Sequence, residues 1–518
     1  MEHYVQTQVT SAVSRAIQEY SKNRDTRYLV EMARETNNSD IKDDQVISLL
    51  LMQMLAGENA ELYSALGDRY YQGAGVRRDE AKALEMFRAA ADQGSARSMY
   101  DLAWYYYDRQ EYMYAIDYFE RCIKAQEELE PYMVGKSYAQ LGTSYANLPT
   151  PKYAQAIEHL TTAADKYQNS FAARRLGMIY GERESNCFSA DKCLHYLEQA
   201  AKGGDVIAAE KLGGYYIFGD ESLGVSCNGY RAEQALLPHA DKDSALLLRY
   251  LGYLYLNGDT QNNFAPNLDK ACEFYTKSLA LEPHDRAEAD LGYAYYKLGQ
   301  YQKAEELLLK ADQNSMLYYS DFLGRMYREG NLGQSDPAKA LYYYQRAFTS
   351  GSMNNVFTCA EYAELLEELG DYQKAYDVAE YGDDKYNDIW FVYIKARLVL
   401  SGMVTNRISP DNAAELMQLC LRHNSHTKEA NVFLGQYYLR VRNYRLAEKH
   451  FLDAFREGDA DAAVYLGQLY EAGGGTVKAN PSMAYEWFTK AAAAGSEWGR
   501  QEVACWRKGL LGGWHRFK

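Results

Sequence analysis

One short motif, leucine–small–x–x–tyrosine, returns along this chain at intervals of 32 to 40 residues, and it limits the possible folds more than any other feature. The clean copies are Leu66-Gly67…Tyr70, Leu102-Ala103…Tyr106, Leu141-Gly142…Tyr145, Leu176-Gly177…Tyr180 and Leu212-Gly213…Tyr216. They continue as Leu251-Gly252…Tyr255, Leu291-Gly292…Tyr295, Leu323-Gly324…Tyr327, Leu434-Gly435…Tyr438 and Leu466-Gly467…Tyr470. Two degenerate copies, Tyr362-Ala363…Leu366 and Lys395-Ala396…Val399, bring the number to twelve. After most copies comes a second pattern, small-x₃-large-x₂-small, as in Ala83-Phe87-Ala90, Ala156-Leu160-Ala163 and Ala447-Phe451-Ala454. Offsets of three, four and seven put these residues on one face of a helix. Each repeat therefore reads as an antiparallel helix pair, A and B, and neighbouring pairs must stack to bury a common core.

Glycine costs a helix interior about 1 kcal/mol relative to alanine. It nevertheless stands at nine of the twelve helix-A positions, so the close approach of helix B must compensate. The tyrosine three residues on is expected to fill the groove between repeats, with its hydroxyl reaching solvent or a backbone group. The repeat also accounts for unusual composition. Ten of the 49 tyrosines occupy this one position, and only 9 prolines occur in 518 residues. A chain of this length would by default hold three or four compact domains at roughly 150 residues each. A repeat array replaces that expectation with one extended stack.

These residues resemble the tetratricopeptide (TPR) and Sel-one-like (SLR) repeat families. The segment 283–311 carries the TPR pattern at Leu291, Gly292, Tyr295, Ala304, Leu308 and Ala311. Segments 66–94 and 466–495 look like full SLR copies, with a longer loop between helices A and B. The first small residue of helix B follows the helix-A small residue by 12 at Ala103→Ala115, Gly292→Ala304 and Gly435→Ala447, and by 16 at Gly67→Ala83, Gly177→Cys193 and Gly324→Ala340. The resemblance implies an all-α fold, a right-handed α–α superhelix of about twelve helix-turn-helix repeats over residues 58–495. Residues 1–57 are expected to form an N-terminal helical cap or decayed repeat, and 496–518 a capping helix with a basic tail that either frays or folds back, as a plug or docking tail, on the superhelix or onto a partner. The array should bend or change pitch where the motif decays, in repeats 5, 9 and 10.

The resemblance further implies that a concave surface is lined by helix-A positions 6 and 3 before the small residue and 1 and 4 after it. In this sequence those positions yield a candidate partner-binding groove. It comprises Arg97, Tyr100, Trp104, Tyr107, Lys136, Arg174, Arg249, Tyr253, Arg286, Tyr293, Tyr296, Tyr318, Arg325 and Arg328. Over repeats 2–8 the lining holds seven basic residues against two acidic ones, Glu210 and Asp321, although the chain carries a net charge of −15. Acidic residues dominate the same positions in repeats 9–12. Arginine forks with aromatic walls suit an acidic or carboxylate-ended peptide.

No chemistry-bearing constellation stands out. The chain has no G-x-x-x-x-G-K-[ST], G-x-S-x-G or H-E-x-x-H. His423-x-x-His426 lacks companions for a metal site, and Cys187-x₅-Cys193 lacks the regular pairing of disulfide-bearing SLR proteins. No catalytic residue, metal or cofactor is assigned. The acidic balance disfavours duplex nucleic acid as a partner. The most apolar run, 46–56, is too short to span a bilayer. Scattered cysteines without a visible secretory leader point to a cytoplasmic protein, and the SLR resemblance implies a bacterial one. The expected function is a non-catalytic scaffold or adaptor that binds a protein or peptide. A peptide- or ligand-responsive regulatory receptor is the alternative, and a hydrolase the remote one. Partner identity and oligomeric state stay open.

Overall fold

The computed structural model describes residues 60–74, 76–183, 186–353, 355–509 and 513–517, with seven scattered positions before 54. The chain forms two compact units, Met1–Glu282 and Pro283–Lys518. The first holds α1 (Ala60–Gln72), α2 (Glu80–Asp92), α3 (Ala96–Asp108), α4 (Tyr112–Lys124), α5 (Pro131–Ala146) and α6 (Tyr153–Thr161). It continues with α7 (Ser170–Gly181), α8 (Ala190–Lys202), α9 (Val206–Phe218), α10 (Gly229–Leu236), α11 (Ala245–Asn257) and α12 (Leu268–Leu281). The second holds α13 (Asp285–Lys297), α14 (Tyr301–Gln313), α15 (Ser320–Glu329), α16 (Pro337–Thr349), α17 (Val356–Glu368) and α18 (Tyr372–Tyr386). After these come α19 (Ile389–Leu400), α20 (Pro410–Arg422), α21 (Thr427–Arg440), α22 (Tyr444–Arg456), α23 (Ala462–Ala472), α24 (Pro481–Ala493) and α25 (Glu497–Ala504). A two-stranded antiparallel hairpin, β1 (Trp506–Lys508) and β2 (Trp514–Arg516), closes the chain. The odd-numbered helices up to α23 are the A helices of the twelve repeats, and their even-numbered successors are the B helices.

Close packing explains the glycines. A Cβ on Gly67 would lie 2.6 Å from the Phe87 ring, and one on Gly213 2.4 Å from Leu236. On Gly324 it would meet Tyr344 at 2.6 Å, and on Gly467 Phe488 at 2.4 Å. In each case the obstacle is the large residue of the helix-B motif, buried to 6 % exposure or less. The two patterns read from the sequence are thus two sides of one contact.

The repeated tyrosine does more than fill a groove. In five copies its hydroxyl donates to a carboxylate on helix B of the preceding repeat, and in two others, Tyr106 and Tyr438, it accepts from Arg88 and Gln418 of that helix. Tyr145 donates to Glu120 at 2.5 Å and Tyr216 to Glu198 at 3.2 Å, with Tyr255–Glu233 and Tyr470–Glu448 as further copies. Its ring stacks on an aromatic residue of its own helix B, Tyr106 on Tyr118, Tyr180 on Tyr196, Tyr255 on Phe274 and Tyr327 on Tyr343, with centroids 5.6 to 5.9 Å apart. Lysines of that helix also sit over the ring, Lys270 over Tyr255 at 4.5 Å and Lys339 over Tyr327 at 4.7 Å. One side chain therefore ties the preceding helix B to its own helices A and B.

Its carbonyl explains how the A–B loop changes length without disturbing the pair. In short-loop repeats it accepts from the backbone N–H of the residue capping helix B, Tyr106 from Glu111 at 2.9 Å and Tyr438 from Asn443 at 2.8 Å. The long-loop repeats make the same bond, Tyr180 from Ser189 at 2.9 Å, Tyr255 from Asn267 at 2.7 Å and Tyr470 from Asn480 at 2.7 Å. The intervening residues, including the Gly473–Gly475 run, are looped out beyond a fixed clasp.

The motif's decay in repeats 9 and 10 does not interrupt the array. Helices α17 to α20 are complete, and one core cluster runs without a break from Tyr327 to Tyr437. In this region the close approach moves from helix A to helix B, where a Cβ on Gly382 would lie 2.4 Å from Phe391 of the next helix. Irregular B helices occur instead in repeat 3, where α6 passes into a π turn at Thr162–Lys166, and in repeat 5. Its helix B, α10, stops after eight residues and runs into a 3₁₀ turn, Leu237–His239.

Of the two readings of the basic tail, frayed or folded back, the C-terminal residues follow the second. Trp506 is buried against Phe488, Trp514 stacks on Tyr485 with centroids 3.4 Å apart, and Arg516 pairs with Glu471 at 2.8 Å. The hairpin folds back onto repeat 12. The expected N-terminal cap, 1–57, lies almost wholly outside the described residues, although Leu49, Leu51 and Met52 are helical and buried there.

Candidate functional site

The helix-A residues singled out by sequence fall into two groups, one in each unit. In the first unit Tyr100, Trp104 and Tyr107 form a run of rings along α3, with centroids 6.1 and 5.8 Å apart. Arg97, in the first turn of that helix, pairs with Asp101 at 3.0 Å. Lys136 of α5 hydrogen-bonds Tyr132 and lies 4.5 Å from its ring centre. Arg174 of α7 pairs with Asp205 at 2.8 Å, with both side chains largely buried. Asp205 also caps α9 by accepting from the Ala208 N–H. Arg174 is thus a strut between consecutive A helices rather than an open docking point. Arg249 of α11 differs: its side chain is 18 % exposed, but its partner Glu282, at 3.2 Å, is 62 % exposed. Tyr253, one turn further along α11, packs against Phe218 at 5.3 Å.

In the second unit Arg286 of α13 pairs with Asp290 at 2.9 Å and lies 4.0 Å over the ring of Tyr318. Tyr293 stacks with Tyr296 at 6.2 Å and with Tyr319 at 4.5 Å. Arg325 pairs with Glu329 at 2.8 Å and Glu361 at 3.4 Å. Arg328 pairs with Glu368 at 2.9 Å and Glu364 at 3.6 Å.

Every arginine of the predicted groove is therefore already opposite a carboxylate. The sequence tally counted four positions per repeat and missed those carboxylates. Asp101 and Asp290 stand four residues along the same helix, Asp205 is an N-cap, Glu282 follows α12, and Glu361 and Glu368 lie on the next helix A. Spacing four residues after an arginine was a readable signal for the first two. Asp321, one of the two acids counted on the face, is 1 % exposed and accepts from the Thr358 hydroxyl at 2.7 Å. Burial pushes its carboxyl up to about 7. Burial, reinforced by Asp101, likewise raises Asp68 to about 6.

Apolar side chains also stay open on the A helices. In the first unit Met178 is 38 % exposed, Ile207 47 % and Phe218 56 %, on α7 and α9. Tyr318 of the second unit is 38 % exposed. The sequence reading placed Met178 and Ile207 on this face but missed Phe218, one register further along α9. No group of three or more metal-ligating side chains occurs among the described residues. His426 instead stacks on Tyr393 at 4.1 Å. All eight cysteines are free thiols.

The Sel1 repeat family model matches five segments, 60–95, 170–205, 246–282, 321–352 and 460–496. The chain carries Sel1 repeats. The five matches are long-loop copies of the helix pair, and the short-loop, TPR-like copies lie in the intervals between them. A sel1-like repeat-containing protein of Acanthamoeba polyphaga mimivirus is 28 % identical over 149 residues, 28 % of this chain and 26 % of that protein. The match thus spans about a quarter of the relative's length. The fold is that of c5321, a protective antigen of uropathogenic Escherichia coli strains with an SLR fold. The TM-score is 0.52 at 20 % identity, over 88 % of this chain and 89 % of that one. A Sel1 repeat protein from Oxalobacter formigenes aligns over 43 % of this chain and 96 % of its own, at 19 % identity and a TM-score of 0.31. Sel1-repeat proteins are in general non-catalytic protein-interaction scaffolds. No described helix of this chain is long and apolar enough to cross a membrane.

Proposed function

We propose that this Sel1-repeat chain is a cytoplasmic scaffold that holds an extended or helical segment of a partner protein on its helix-A faces. The carrying observation is that Met178, Ile207 and Phe218 are exposed on α7 and α9, with Phe218 packed on Tyr253 one turn from Arg249 on the next helix A. An exposed aromatic pair beside an arginine has the composition of an interface centre. The arginines are not bare, which modifies the picture of a basic groove. A partner carboxylate would have to displace Glu282, the exposed half of its pair, to reach Arg249. Such an exchange adds little net affinity but makes binding selective for a segment with a carboxylate in register. Free thiols throughout fit the assignment to a reducing compartment.

A photo-crosslinking residue at Phe218 should trap the partner, whereas one at Tyr114 should not. Tyr114 is as exposed, at 59 %, but lies on helix B. Arg249→Glu should abolish the Phe218 adduct while the helical circular dichroism stays unchanged. Equal trapping from both positions would overturn the assignment of the A face.

A further inference from the structure

The shortened helix of repeat 5 opens a cavity. After Leu236, the proline at position 238 lacks the N–H that the next helical bond requires, and the chain turns through Leu237–His239 instead of completing the helix. Neighbouring B helices such as α8 and α12 run for 13 and 14 residues. The missing turns leave a space of about 650 Å³ among α8, α9 and α10, within the size range of small-molecule pockets.

Its lining is specific. Lys202 comes from the last turn of α8, Arg231 from the first turn of α10, and Lys242 from the segment after the 3₁₀ turn. The only carboxylate on the wall is Glu198, which already accepts from the Tyr216 hydroxyl at 3.2 Å. Leu212, Ala235 and Pro238 supply an apolar side. His239 also lines the space. It is 7 % exposed, and its backbone carbonyl accepts from the Lys242 N–H at 3.0 Å, which ties the 3₁₀ turn to the segment that carries Lys242.

We propose that this cavity is a binding site for a small organic phosphate. Lys202, Arg231 and Lys242, the last of which also pairs with Asp241 at 3.4 Å, leave the lining cationic enough for a dianion, and phosphate oxygens accept charge-assisted hydrogen bonds from lysine and arginine. The imidazole of His239, on the same wall, adds a further hydrogen-bonding group. The apolar wall and the volume leave room for an organic group larger than phosphate itself. The site lies among B helices and the far end of α9, and does not depend on the helix-A face described above.

The test is isothermal titration of the full chain with phenyl phosphate and, separately, with inorganic phosphate. Phenyl phosphate should bind saturably at one site and more tightly than inorganic phosphate. The double variant Lys202→Gln, Arg231→Gln changes only exposed side chains, so its melting curve should be retained. Its affinity for phenyl phosphate should fall at least tenfold. His239→Gln keeps a hydrogen-bonding side chain and should weaken binding less than His239→Leu. No saturable heat, or unchanged affinity in the double variant, would overturn the proposal. Equal affinity for the two probes would overturn the assignment to an organic phosphate.

Discussion

At the scale of single residues, each repeated side chain performs several tasks at once, and sequence shows only some of them. The glycine's purpose was legible, because a costly residue kept at nine of twelve helical positions implies a steric return, and the large residue it faces was visible at a fixed offset. The tyrosine's carboxylate partner was not legible, because it lies on a different repeat and no local spacing points to it. Asp321 shows the same limit: a position that looks like lining turns out to be core. The native state holds the Asp321 proton up to about pH 7, whereas an unfolded aspartate releases it near about 3.9. Between those values the native state binds the extra proton, so stability falls as pH rises. Asp321→Asn keeps an acceptor for Thr358 and removes the titration. It should therefore leave stability at pH 4 nearly unchanged and raise it at pH 8 by at most about 4 kcal/mol. Urea melts of both proteins at the two pH values measure this, and an equal effect at both would mean that the carboxyl does not titrate in the native state.

At the scale of elements, the helix pair behaves as a module with a clasp. The bond from the helix-B cap to the tyrosine carbonyl is the same in short and long loops, so loop length reads clearly in sequence while carrying little consequence for packing. The terminal hairpin was the opposite case. Glycines and basic residues after Trp506 left a frayed and a folded-back tail both open, and the strands themselves went unread because pairs this short have no helical or alternating signal. A two-stranded hairpin is marginal by itself, so docking must stabilise it. Trp514 on Tyr485 and Trp506 beside Phe488 supply that docking. Trp514→Ala should remove an aromatic pair worth about 0.5–1.5 kcal/mol beyond its buried area. Amide exchange in 506–508 and 514–516 should then accelerate about tenfold or more, a tenfold change corresponding to about 1.4 kcal/mol. Hairpin amides that stay protected would show that strand pairing, not docking, holds them.

At the scale of the whole chain, the motif made the solenoid legible from one end to the other, because a period repeated twelve times outweighs any single ambiguous helix. It did not show how packing is kept where the motif decays: in repeats 9 and 10 Gly382 and Phe391 take over the close approach. Continuity of packing is not the same as unity of stability. In a solenoid each repeat touches only its neighbours, and stability is a sum of local terms. Gly177→Ala tests this. Its new Cβ would stand 2.7 Å from Leu197 Cγ and 3.2 Å from the Cys193 carbonyl, so backbone as well as side chain must yield. Overpacking of this kind costs about 1–3 kcal/mol, only partly offset by the gain of up to about 1 kcal/mol in helix propensity. The loss should remain local. Amide exchange should quicken in α5 to α10, which flank repeat 4, and stay at wild-type rates in α23 and α24 of the other unit. Uniform acceleration along the chain would mean that the twelve repeats open as one cooperative body, and nearest-neighbour stacking would then not describe this protein's energetics.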